Sequence, residues 1–336
     1  MIDVAFDARI TSHMSDGMRA YTNELRVRLP RVAPDLRIAT FGAGDNFDAA
    51  EQFGMPLWIA RRQPRLVHYA SFYVPLLNPR PYLFTVHDLI ELRFPELGKK
   101  QVGPYFRWLV APVARRARAI VCDDPRTVAD IERFLGVRRE RIRVVPLGVD
   151  QRFSGALPPQ PAPQRPYVLY VGNRRRHKDL DTLFRAWASL PDDLALDLRL
   201  SGPDDLDGIR ERYPRRNGRI LALGMLSGQE LVASYRGALA YVHPAIVEGF
   251  GLPLLEAAAL AVPVVATTTS VPAALAADAL TFAPGVWASL AGHVVRLVRD
   301  APGAAAMAAR LQQAARRLSW DRCAEATAAV YREFLS

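Results

Sequence analysis

Short β-like runs alternate with helical segments along almost the whole chain, and no other feature constrains the fold as strongly. The β-like runs lie at 2–6, 82–86, 119–122, 142–145, 167–171, 197–201, 220–223, 238–242 and 262–266. Helical patterns between them lie at 21–29, 127–134, 180–189 and 229–235. A strand that is followed by a helix and a second strand favours parallel pairing through a right-handed crossover. The alternation therefore predicts an α/β fold built on parallel sheets.

A proline-rich stretch at 153–166, FSGALPPQPAPQRP, interrupts this alternation. Such a sequence can form neither a helix nor a central strand, so it indicates a linker. The length of 336 residues also suits two domains. We therefore expect one α/β domain over 1–155 and another over 166–318, with ligands at the carboxyl ends of their strands. The last stretch, 319–336, has the pattern of an amphipathic helix.

Composition restricts the compartment and the class of partner. Cys122 and Cys323 are the only cysteines, which favours a reducing compartment over a disulfide framework. The first residues show no basic stretch followed by an apolar one, and no apolar run reaches the length of a membrane span. We therefore expect a cytoplasmic protein. Its formal net charge of +10 raises the affinity for polyanions, including nucleic acid, anionic lipid and diphosphates.

The segment HPAIVEGFGLPLLE at 243–256 places two glutamates, Glu248 and Glu256, eight residues apart. Gly251 allows a tight turn and Pro253 suits the first turn of a helix, so we expect the second carboxylate one helical turn beyond the loop that holds the first. The free amides of a helix start attract an anion, most often phosphate. Two hydroxyl-binding carboxylates beside such a helix end indicate a sugar nucleotide.

Three further segments carry groups that suit the same ligand. The stretch NRRRHK, from Asn173 to Lys178, follows the first strand of the second half, and its cations stand where a diphosphate needs charge neutralisation. His87 ends a strand of the first half, where its ring can enter a cleft. Near the N-terminus, Asp16 can cap a helix and Gly17 allows close backbone approach to a substrate.

In this order along the chain, the segments resemble the retaining GT-B glycosyltransferases, specifically glycosyltransferase family 4. The resemblance extends from residue 3 to about residue 335. It implies two Rossmann-like domains whose parallel sheets face a central cleft. The N-terminal domain would bind the acceptor, the second domain would bind the nucleotide sugar, and the helix at 319–336 would cross back to the first domain. The chain departs from the family pattern at Arg19 and Ala20, where a glycine and an arginine are usual, and at Asn173, where an arginine is common.

The resemblance also implies roles for individual residues. Glu248 would hold the donor-sugar hydroxyls and Glu256 the ribose. Lys178, helped by Arg174 or a neighbouring arginine, would stabilise the leaving diphosphate, and His87 would line the other face of the sugar. The implied catalytic residues are His87, Lys178 and Glu248. The implied donor-binding residues are Gly17, Asn173, Arg174, Lys178, Phe250, Gly251, Leu252 and Glu256.

The reaction implied by the resemblance is transfer of a hexose from a nucleotide diphosphate sugar with retention of anomeric configuration. The diphosphate itself would assist the acceptor hydroxyl, so neither an enzyme nucleophile, a metal nor another cofactor is expected. The form VGN-x3-HK at 171–178 is similar to bacterial polysaccharide mannosyltransferases that use GDP-mannose. We therefore expect mannose as donor sugar and a glycan or lipid-linked glycan as acceptor, in surface polysaccharide synthesis. Rhamnose, glucose and N-acetylglucosamine stay open as donor sugars.

Several other functions suit the sequence less well. No complete dinucleotide fingerprint, P-loop or G-x-S-x-G motif is present, which argues against a Rossmann dehydrogenase, a P-loop kinase and a hydrolase. The six histidines lack the spacing of metal ligands. The D-x-D pairs at 179–181 and 205–207 resemble a metal-nucleotide motif, but a helix start and a polar turn explain them as structural.

Two alternatives from other classes, and one from a related enzyme class, remain. The basic stretches at 61–65 and 115–118 lack the aromatic framing of a nucleic-acid surface, so no nucleic-acid partner is expected. The stretch at 99–118 mixes aromatic and basic residues, which suits contact with anionic lipid at the inner face of the plasma membrane. The alternatives are therefore a nucleotide-sugar epimerase of the same architecture, or a basic lipid- or nucleic-acid-binding protein.

Overall fold

A computed structural model describes residues 1–97, 102–154 and 162–336 of the chain. The middle of the proline-rich stretch, 155–161, lies outside the described residues, as do Lys99 and Lys100 of the stretch that suits lipid contact. The chain forms two compact units. Residues 1–148 and 318–336 make up the N-terminal unit, and residues 149–317 make up the C-terminal unit.

The described part of the N-terminal unit contains a six-stranded parallel sheet in the order β2-β1-β3-β4-β5-β6. Its strands are β1 (Val4–Asp7), β2 (Ile38–Phe41), β3 (Leu66–Tyr69), β4 (Tyr82–Val86), β5 (Ala119–Cys122) and β6 (Ile142–Val144). Four of them, β1 and β3 to β5, are buried along their whole length, as expected of strands covered by helices on both faces.

The described part of the C-terminal unit contains a second six-stranded parallel sheet, in the order β12-β11-β10-β7-β8-β9. Its strands are β7 (Tyr167–Tyr170), β8 (Asp197–Leu200), β9 (Ile220–Ala222), β10 (Ala240–His243), β11 (Val264–Thr267) and β12 (Leu280–Phe282). The chain adds strands in one direction from β7 to β9 and then in the other from β10 to β12. The predicted α/β fold with parallel sheets is confirmed.

Helices connect these strands. They are α1 (Asp16–Val32), α2 (Met55–Arg62), α3 (Ile90–Arg93), α4 (Val102–Tyr105), α5 (Ala111–Arg116), α6 (Pro125–Asp130), α7 (Leu180–Ala188), α8 (Asp207–Arg212), α9 (Gly228–Arg236), α10 (Leu252–Ala259), α11 (Trp287–Arg299), α12 (Ala301–Ala315) and α13 (Trp320–Leu335). Wider π-turns at Ala50–Gly54, Phe106–Val110 and Ile131–Leu135 extend α2, α4 and α6. Among the described residues, no helix combines the length and the apolar character that crossing a bilayer requires.

One predicted helix cap is wrong. Helix α1 begins at Asp16, but the side chain that caps it belongs to Ser15, whose Oγ accepts a hydrogen bond from the Met18 amide at 3.4 Å. Ser15 has the extended backbone of an N-cap residue, whereas Asp16 already lies in the first turn. Its carboxylate still interacts favourably with the helix dipole there.

The C-terminal helix α13 packs against α1 and β3 within the N-terminal unit. A buried polar chain joins these elements. His68 in β3 bonds the Tyr331 hydroxyl of α13 through Nδ1 at 2.6 Å and the Thr85 hydroxyl of β4 through Nε2 at 3.0 Å. The Tyr21 hydroxyl of α1 bonds the same Thr85 oxygen at 2.9 Å. Because burial lowers the pKa of His68 to about 3, the ring is neutral and these bonds do not depend on pH near neutrality.

The junction between β6 and α13 leaves no room for a side chain at Gly148. A Cβ atom there would lie 2.0 Å from the Trp320 backbone nitrogen, which cannot move without displacing the start of α13. We expect Gly148→Ala to destabilise the N-terminal unit by about 1–3 kcal/mol or more, since overpacking against backbone has no cheap relief. Urea unfolding of the two chains measures the difference.

Gly292 provides the matched control, because no atom lies within 4 Å of a Cβ built there and the residue sits inside α11. Gly292→Ala should be neutral or stabilising by about 0.5–1 kcal/mol. Equal effects of the two substitutions would contradict the contact between Gly148 and α13.

Candidate functional site

The reversal of strand order in the C-terminal sheet lies between β7 and β10, and the loops that follow these two strands diverge from one edge. Ligands of open α/β sheets bind at this position, outside the carboxyl ends of the strands. Lys178 lies in a short 3-10 turn, Arg176–Lys178, after β7. Glu248 lies in the loop between β10 and α10. The fold therefore brings together two residues that are separated by 70 positions in sequence.

Glu248 is held by two nitrogen donors on one carboxylate oxygen. The Lys178 Nζ forms an ion pair with Glu248 Oε2, and His243 Nε2 lies 2.9 Å from the same oxygen. The His243 Nδ1 lies 2.8 Å from the Tyr241 hydroxyl. Burial lowers the pKa of His243, so its neutral ring donates through Nε2 to Glu248 and accepts at Nδ1 from Tyr241. His243 lies in the segment 243–256, but the sequence alone predicted no role for it.

The carboxylate of Glu248 stays ionised. Burial alone would raise its pKa, but the Lys178 ammonium and the hydrogen bond from His243 outweigh burial and hold the pKa of Glu248 well below its usual range. An ionised carboxylate can only accept hydrogen bonds. Glu248 Oε1 accepts none from the described part of the chain, so this oxygen is available to a ligand hydroxyl.

Backbone contacts fix the two loops that carry Lys178 and Glu248. The Ile246 amide donates to the His177 carbonyl at 2.8 Å, which joins one loop directly to the other. From the loop after β11, Thr269 Oγ1 donates to the Ile246 carbonyl at 2.6 Å. Thr267 Oγ1 donates to the Ala245 carbonyl at 2.5 Å. One main-chain bond thus joins the two loops, and two threonine hydroxyls hold the loop that carries Glu248.

The start of helix α10 has the predicted geometry. Gly251 takes a left-handed backbone with φ +88°, and a Cβ there would lie 2.8 Å from the Leu254 side chain and 3.5 Å from Glu248 Cγ. Pro253 stands in the first turn, Phe250 is buried and Leu252 begins the helix. Among the described residues, no side chain caps this helix start. Pro253 has no amide hydrogen and the Leu254 amide donates to the Gly251 carbonyl at 3.0 Å, so the amides left for an anion are those of Gly251 and Leu252.

Glu256 has a different set of partners from Glu248. The Tyr235 hydroxyl donates to Glu256 Oε2 at 2.9 Å. Burial raises the pKa of Glu256 to about 7, although the Tyr235 hydrogen bond and the Arg152 charge oppose the shift. The two glutamates of the predicted pair therefore differ in protonation: near neutral pH Glu248 is ionised, whereas Glu256 is only partly ionised.

Of the three arginines that precede Lys178, Arg174 to Arg176, only Arg174 is partly buried. Arg174 donates through Nη2 to the Pro203 carbonyl at 2.7 Å and pairs with Asp205, whereas Arg175 and Arg176 are exposed. Asn173 is exposed as well. The pairing with Asp205 gives the second D-x-D segment a structural partner, and it directs the Arg174 guanidinium to the loop after β8 rather than to Glu248.

In the N-terminal unit, His87 follows β4 as expected and makes a pair that the sequence did not reveal. Its Nδ1 lies 2.6 Å from Asp123 Oδ2, and its Nε2 lies 3.2 Å from the Ala70 carbonyl. Burial lowers the pKa of His87, but the Asp123 carboxylate outweighs burial and the net shift is upward. Asp123 follows β5 directly, and this position after a buried strand is the signal that could have found it.

Gly17 lies in the first turn of α1 and is half-buried. Arg19, which replaces the usual glycine of this loop, has a clear local role. Its side chain donates to the Thr11 carbonyl at 2.7 Å and to the Met14 carbonyl at 3.2 Å, so it holds the preceding loop against the helix.

Comparison with known proteins identifies the family of the chain. Residues 15–153 match the family model described as Glycosyltransferase Family 4, and residues 158–318 match the model described as Glycosyl transferases group 1. The chain belongs to glycosyltransferase family 4. It is a nucleotide-sugar-dependent hexosyltransferase, as predicted.

Individual relatives of this family 4 glycosyltransferase include the O-antigen chain mannosyltransferase B of Escherichia coli. The two are 27% identical over 290 residues, which cover 80% of this chain and 74% of the relative. A sucrose-phosphate synthase from Thermosynechococcus elongatus has a similar structure, with a TM-score of 0.75, 20% identity and 99% coverage of both chains. Anabaena HepE, solved in complex with UDP and glucose, gives a TM-score of 0.72 at 16% identity, with 99% of this chain and all of that chain covered. The GT-B fold is thereby confirmed.

The described residues of the glycosyltransferase include no group of three histidine, cysteine or acidic side chains that could hold a metal ion. The acidic residues of the two D-x-D segments bond protein groups instead. Asp179 Oδ2 accepts from the Thr182 hydroxyl at 2.7 Å, Asp181 accepts from the Tyr213 hydroxyl at 2.5 Å, and Asp205 pairs with Arg174.

The raised pKa of Glu256 predicts a pH-dependent stability. Because the folded state binds the Glu256 proton more tightly than the unfolded state, this residue costs stability as pH rises from about 4.5 to about 7 and above. Glu256→Gln removes the ionisation and keeps an acceptor for Tyr235. We expect the variant to melt above the unchanged chain at pH 8 and with it at pH 5, measured by calorimetry.

Glu211→Gln is the control, since Glu211 is an exposed glutamate of the same unit. It should leave the melting temperature unchanged at both pH values. A difference between Glu256→Gln and the unchanged chain that is the same at pH 5 and pH 8 would contradict the raised pKa.

Proposed function

We propose that the enzyme transfers mannose from GDP-mannose to a glycan or lipid-linked glycan, with retention of anomeric configuration, in bacterial surface polysaccharide synthesis. The observation that carries the proposal is the Glu248 carboxylate, which Lys178 and His243 hold by one oxygen while the other stays available at the strand-order reversal. A permanently ionised acceptor beside a cation suits a ligand that joins sugar hydroxyls to a diphosphate.

In this proposal, each group of the site meets one part of the donor. Glu248 Oε1 accepts hydrogen bonds from sugar hydroxyls, and Glu256 accepts from the ribose. Lys178 and the amides of Gly251 and Leu252 at the start of α10 neutralise the diphosphate. The charge on the leaving diphosphate grows in the transition state, so cations and amides aimed at it accelerate transfer. Phe250 and Asn173 flank these groups in sequence, and we assign them to donor contacts of the same site.

The chemical step needs no enzyme nucleophile. The bond between the anomeric carbon and the phosphate oxygen breaks, and a bond to the acceptor oxygen forms on the same face of the sugar. The acceptor proton passes to a non-bridging oxygen of the departing diphosphate, which balances the step. Glu248 is already bonded to Lys178 and His243, which supports a binding role for it. We propose that neither a metal nor another cofactor takes part.

We propose that Arg174, His87 and Gly17 have the roles that the family resemblance implies. For Arg174 and His87, each role requires that an existing contact be broken. Arg174 can reach a diphosphate only by leaving Asp205. His87 can donate to a substrate only through Nε2, which requires it to release the Ala70 carbonyl. Gly17 contributes close backbone approach at the start of α1.

The choice of mannose is supported by the E. coli relative, which is an O-antigen mannosyltransferase. HepE, in contrast, was solved with UDP and glucose, so the nucleotide base needs a direct test. We expect GDP-mannose and GDP to raise the melting temperature of the enzyme, and UDP-glucose, UDP-N-acetylglucosamine and dTDP-rhamnose to leave it unchanged, because a ligand that binds only the folded state stabilises it.

Glu248→Gln should lower the transfer rate about 100-fold or more, because a neutral amide accepts sugar hydroxyls less strongly.

Glu211→Gln serves again as control and should retain full activity and the full thermal shift. Transfer should persist in excess EDTA. Absence of a shift with every donor would contradict the donor site, a shift with another donor alone would replace mannose, and strict dependence on Mg²⁺ or Mn²⁺ would contradict the metal-free step.

We also propose that the enzyme works in the cytoplasm at the inner face of the plasma membrane. The turn Phe106–Val110 exposes 69% of Trp108 and 38% of Leu109. Arg107 next to them and Arg115 and Arg116 on α5 are exposed as well. The Arg107 guanidinium lies over the Trp108 ring, 5.2 Å from its centre. An exposed tryptophan with an arginine beside it, close in sequence to further exposed arginines, suits the interface of an anionic bilayer.

Trp108→Glu tests this surface, because it removes the apolar anchor and adds a repelling charge. We expect binding to vesicles of phosphatidylglycerol and phosphatidylcholine, measured by sedimentation, to fall about tenfold or more. Trp287→Glu is the control, since Trp287 is 38% exposed at the start of α11 in the C-terminal unit. Equal losses in the two variants would show that charge alone controls binding, against the proposed anchor.

A further inference from the structure

Four partly exposed rings cluster at the carboxyl edge of the N-terminal sheet. Phe47 makes edge-to-face contacts with Tyr73 at 5.6 Å, Tyr105 at 5.3 Å and His13 at 5.8 Å between ring centres. Phe47 is 51% exposed and the His13 side chain 54% exposed. We call this cluster of His13, Phe47, Tyr73 and Tyr105 the aromatic platform. None of these residues belongs to the donor site described above.

Phe47 has a backbone conformation that bulky side chains rarely adopt. Its φ is +69°, in the left-handed region that favours glycine or asparagine. Such strain costs on the order of 1–3 kcal/mol and persists only where the surrounding structure enforces it. Because the Phe47 ring is half exposed, the free energy gained by burying it offsets little of this strain. This combination indicates a side chain that is placed for contact with a ligand.

A buried ionic cluster beneath the platform holds the Phe47 backbone in this conformation. Arg9 bonds Asp7 through Nη2 at 2.8 Å and Glu51 through Nη1 at 2.9 Å, and all three residues are nearly fully buried. The same Arg9 Nη2 donates to the Tyr73 carbonyl at 3.1 Å. Glu51 Oε1 accepts from the Phe47 amide at 3.3 Å. A buried ion cluster contributes little net stability, but this one fixes the positions of two platform residues.

The loop that carries His13 is tied to the loop of Phe47 by separate bonds. Ser12 Oγ donates to Asp45 Oδ2 at 2.6 Å, and Asn46 Nδ2 donates to Thr11 Oγ1 at 2.9 Å. Asn46 Oδ1 is buried and has no hydrogen-bond partner among the described residues. The two loops that carry His13 and Phe47 are therefore held together by polar contacts, and Asn46 next to Phe47 has a buried acceptor oxygen without a donor among the described residues.

We propose that the aromatic platform binds a pyranose ring of the acceptor glycan. The C–H groups on one face of a pyranose are weakly positive, and they pack against the negative face of an aromatic ring. The hydroxyls at the ring edge need acceptors. Burial raises the pKa of Tyr73, and the charges of Glu91, Glu51, Asp88 and Asp45 raise it further, so the surroundings of the platform are acidic. The proposal rests on the proposed function, because it identifies a subsite for the acceptor of that reaction.

The charge around the platform favours a neutral glycan over other occupants. Arg9 is neutralised by Asp7 and Glu51, and the exposed groups at the rim include Asp45. Carboxylates at the rim repel phosphate and anionic lipid but accept hydrogen bonds from sugar hydroxyls. Tyr105 lies three residues before Trp108, so the platform adjoins in sequence the turn that we assign to the membrane. A glycan carried on a lipid would use both.

Saturation-transfer NMR on the full chain tests the platform with mannotriose, chitotriose and a rhamnose disaccharide as probes, in the presence of GDP. We expect saturation of aromatic protons to reach the pyranose C–H protons of at least one probe. Phe47→Gly removes the ring and suits a left-handed backbone, so it should weaken binding of that probe about fivefold or more. Phe47→Trp should retain binding. Phe53→Ala, which removes a 71% exposed ring of the same type from the turn before α2, should change nothing.

Stability and donor binding separate the possible failures. Phe47→Gly should not lower the melting temperature, since it relieves backbone strain; a marked fall would show that the ring is a structural anchor and overturn the proposal. The proposal would also be overturned if a probe bound Phe47→Gly as tightly as the unchanged chain. Absence of NMR saturation transfer to all three probes would overturn it too. The thermal shift with nucleotide sugars is an independent readout, so loss of that shift would refute the donor site and leave the platform result intact.

Discussion

The site depends on the direct pairing of β7 with β10. These strands are separated by two strands and three helices in sequence, yet they pair in parallel because the chain builds the sheet outward from β7 in both directions. The two loops therefore leave one edge on either side of a gap. Lys178 ends the first loop and Glu248 lies in the second, and each needs the other because a buried charge is stable only when it is paired. The fold thus creates the ion pair, and the ion pair stabilises the turns that carry it.

Charge is handled differently at the edges of the two sheets. In the C-terminal unit, Lys178 and His243 both bond the same oxygen of Glu248, so the other carboxylate oxygen stays available to a ligand. In the N-terminal unit the Asp7–Arg9–Glu51 cluster satisfies its charges almost entirely with one another. The first arrangement suits the binding of polar groups of a ligand. The second suits the positioning of neighbouring backbone, which is the role we assign to it.

Much of the architecture followed from the sequence, because buried parallel strands are continuous apolar runs. β4 and β5 were predicted with their observed ends. β2 was missed because it is an edge strand with a mixed pattern, and β3 because His68 interrupts its apolar run. Lys178 and Glu248 were found through a motif. Asp123 was missed because its partner His87 follows a different strand, and His243 was given no role although its partner Glu248 lies only five residues further along the chain. Long-range pairs such as His87 with Asp123 depend on the order of strands in the sheet, which cannot be read from a single sequence.

The burial of Lys178 has a practical consequence for spectroscopy. Of the 44 basic side chains of the protein, only three are lysines, and the other two are the neighbours Lys99 and Lys100. Reductive ¹³C-methylation would therefore give a spectrum with very few amine signals. The Lys178 ammonium lies against a carboxylate and is 10% exposed, so its methyl resonance should be shifted from that of a solvated amine. The residue that balances the charge of the site can thus report its occupancy without any introduced probe.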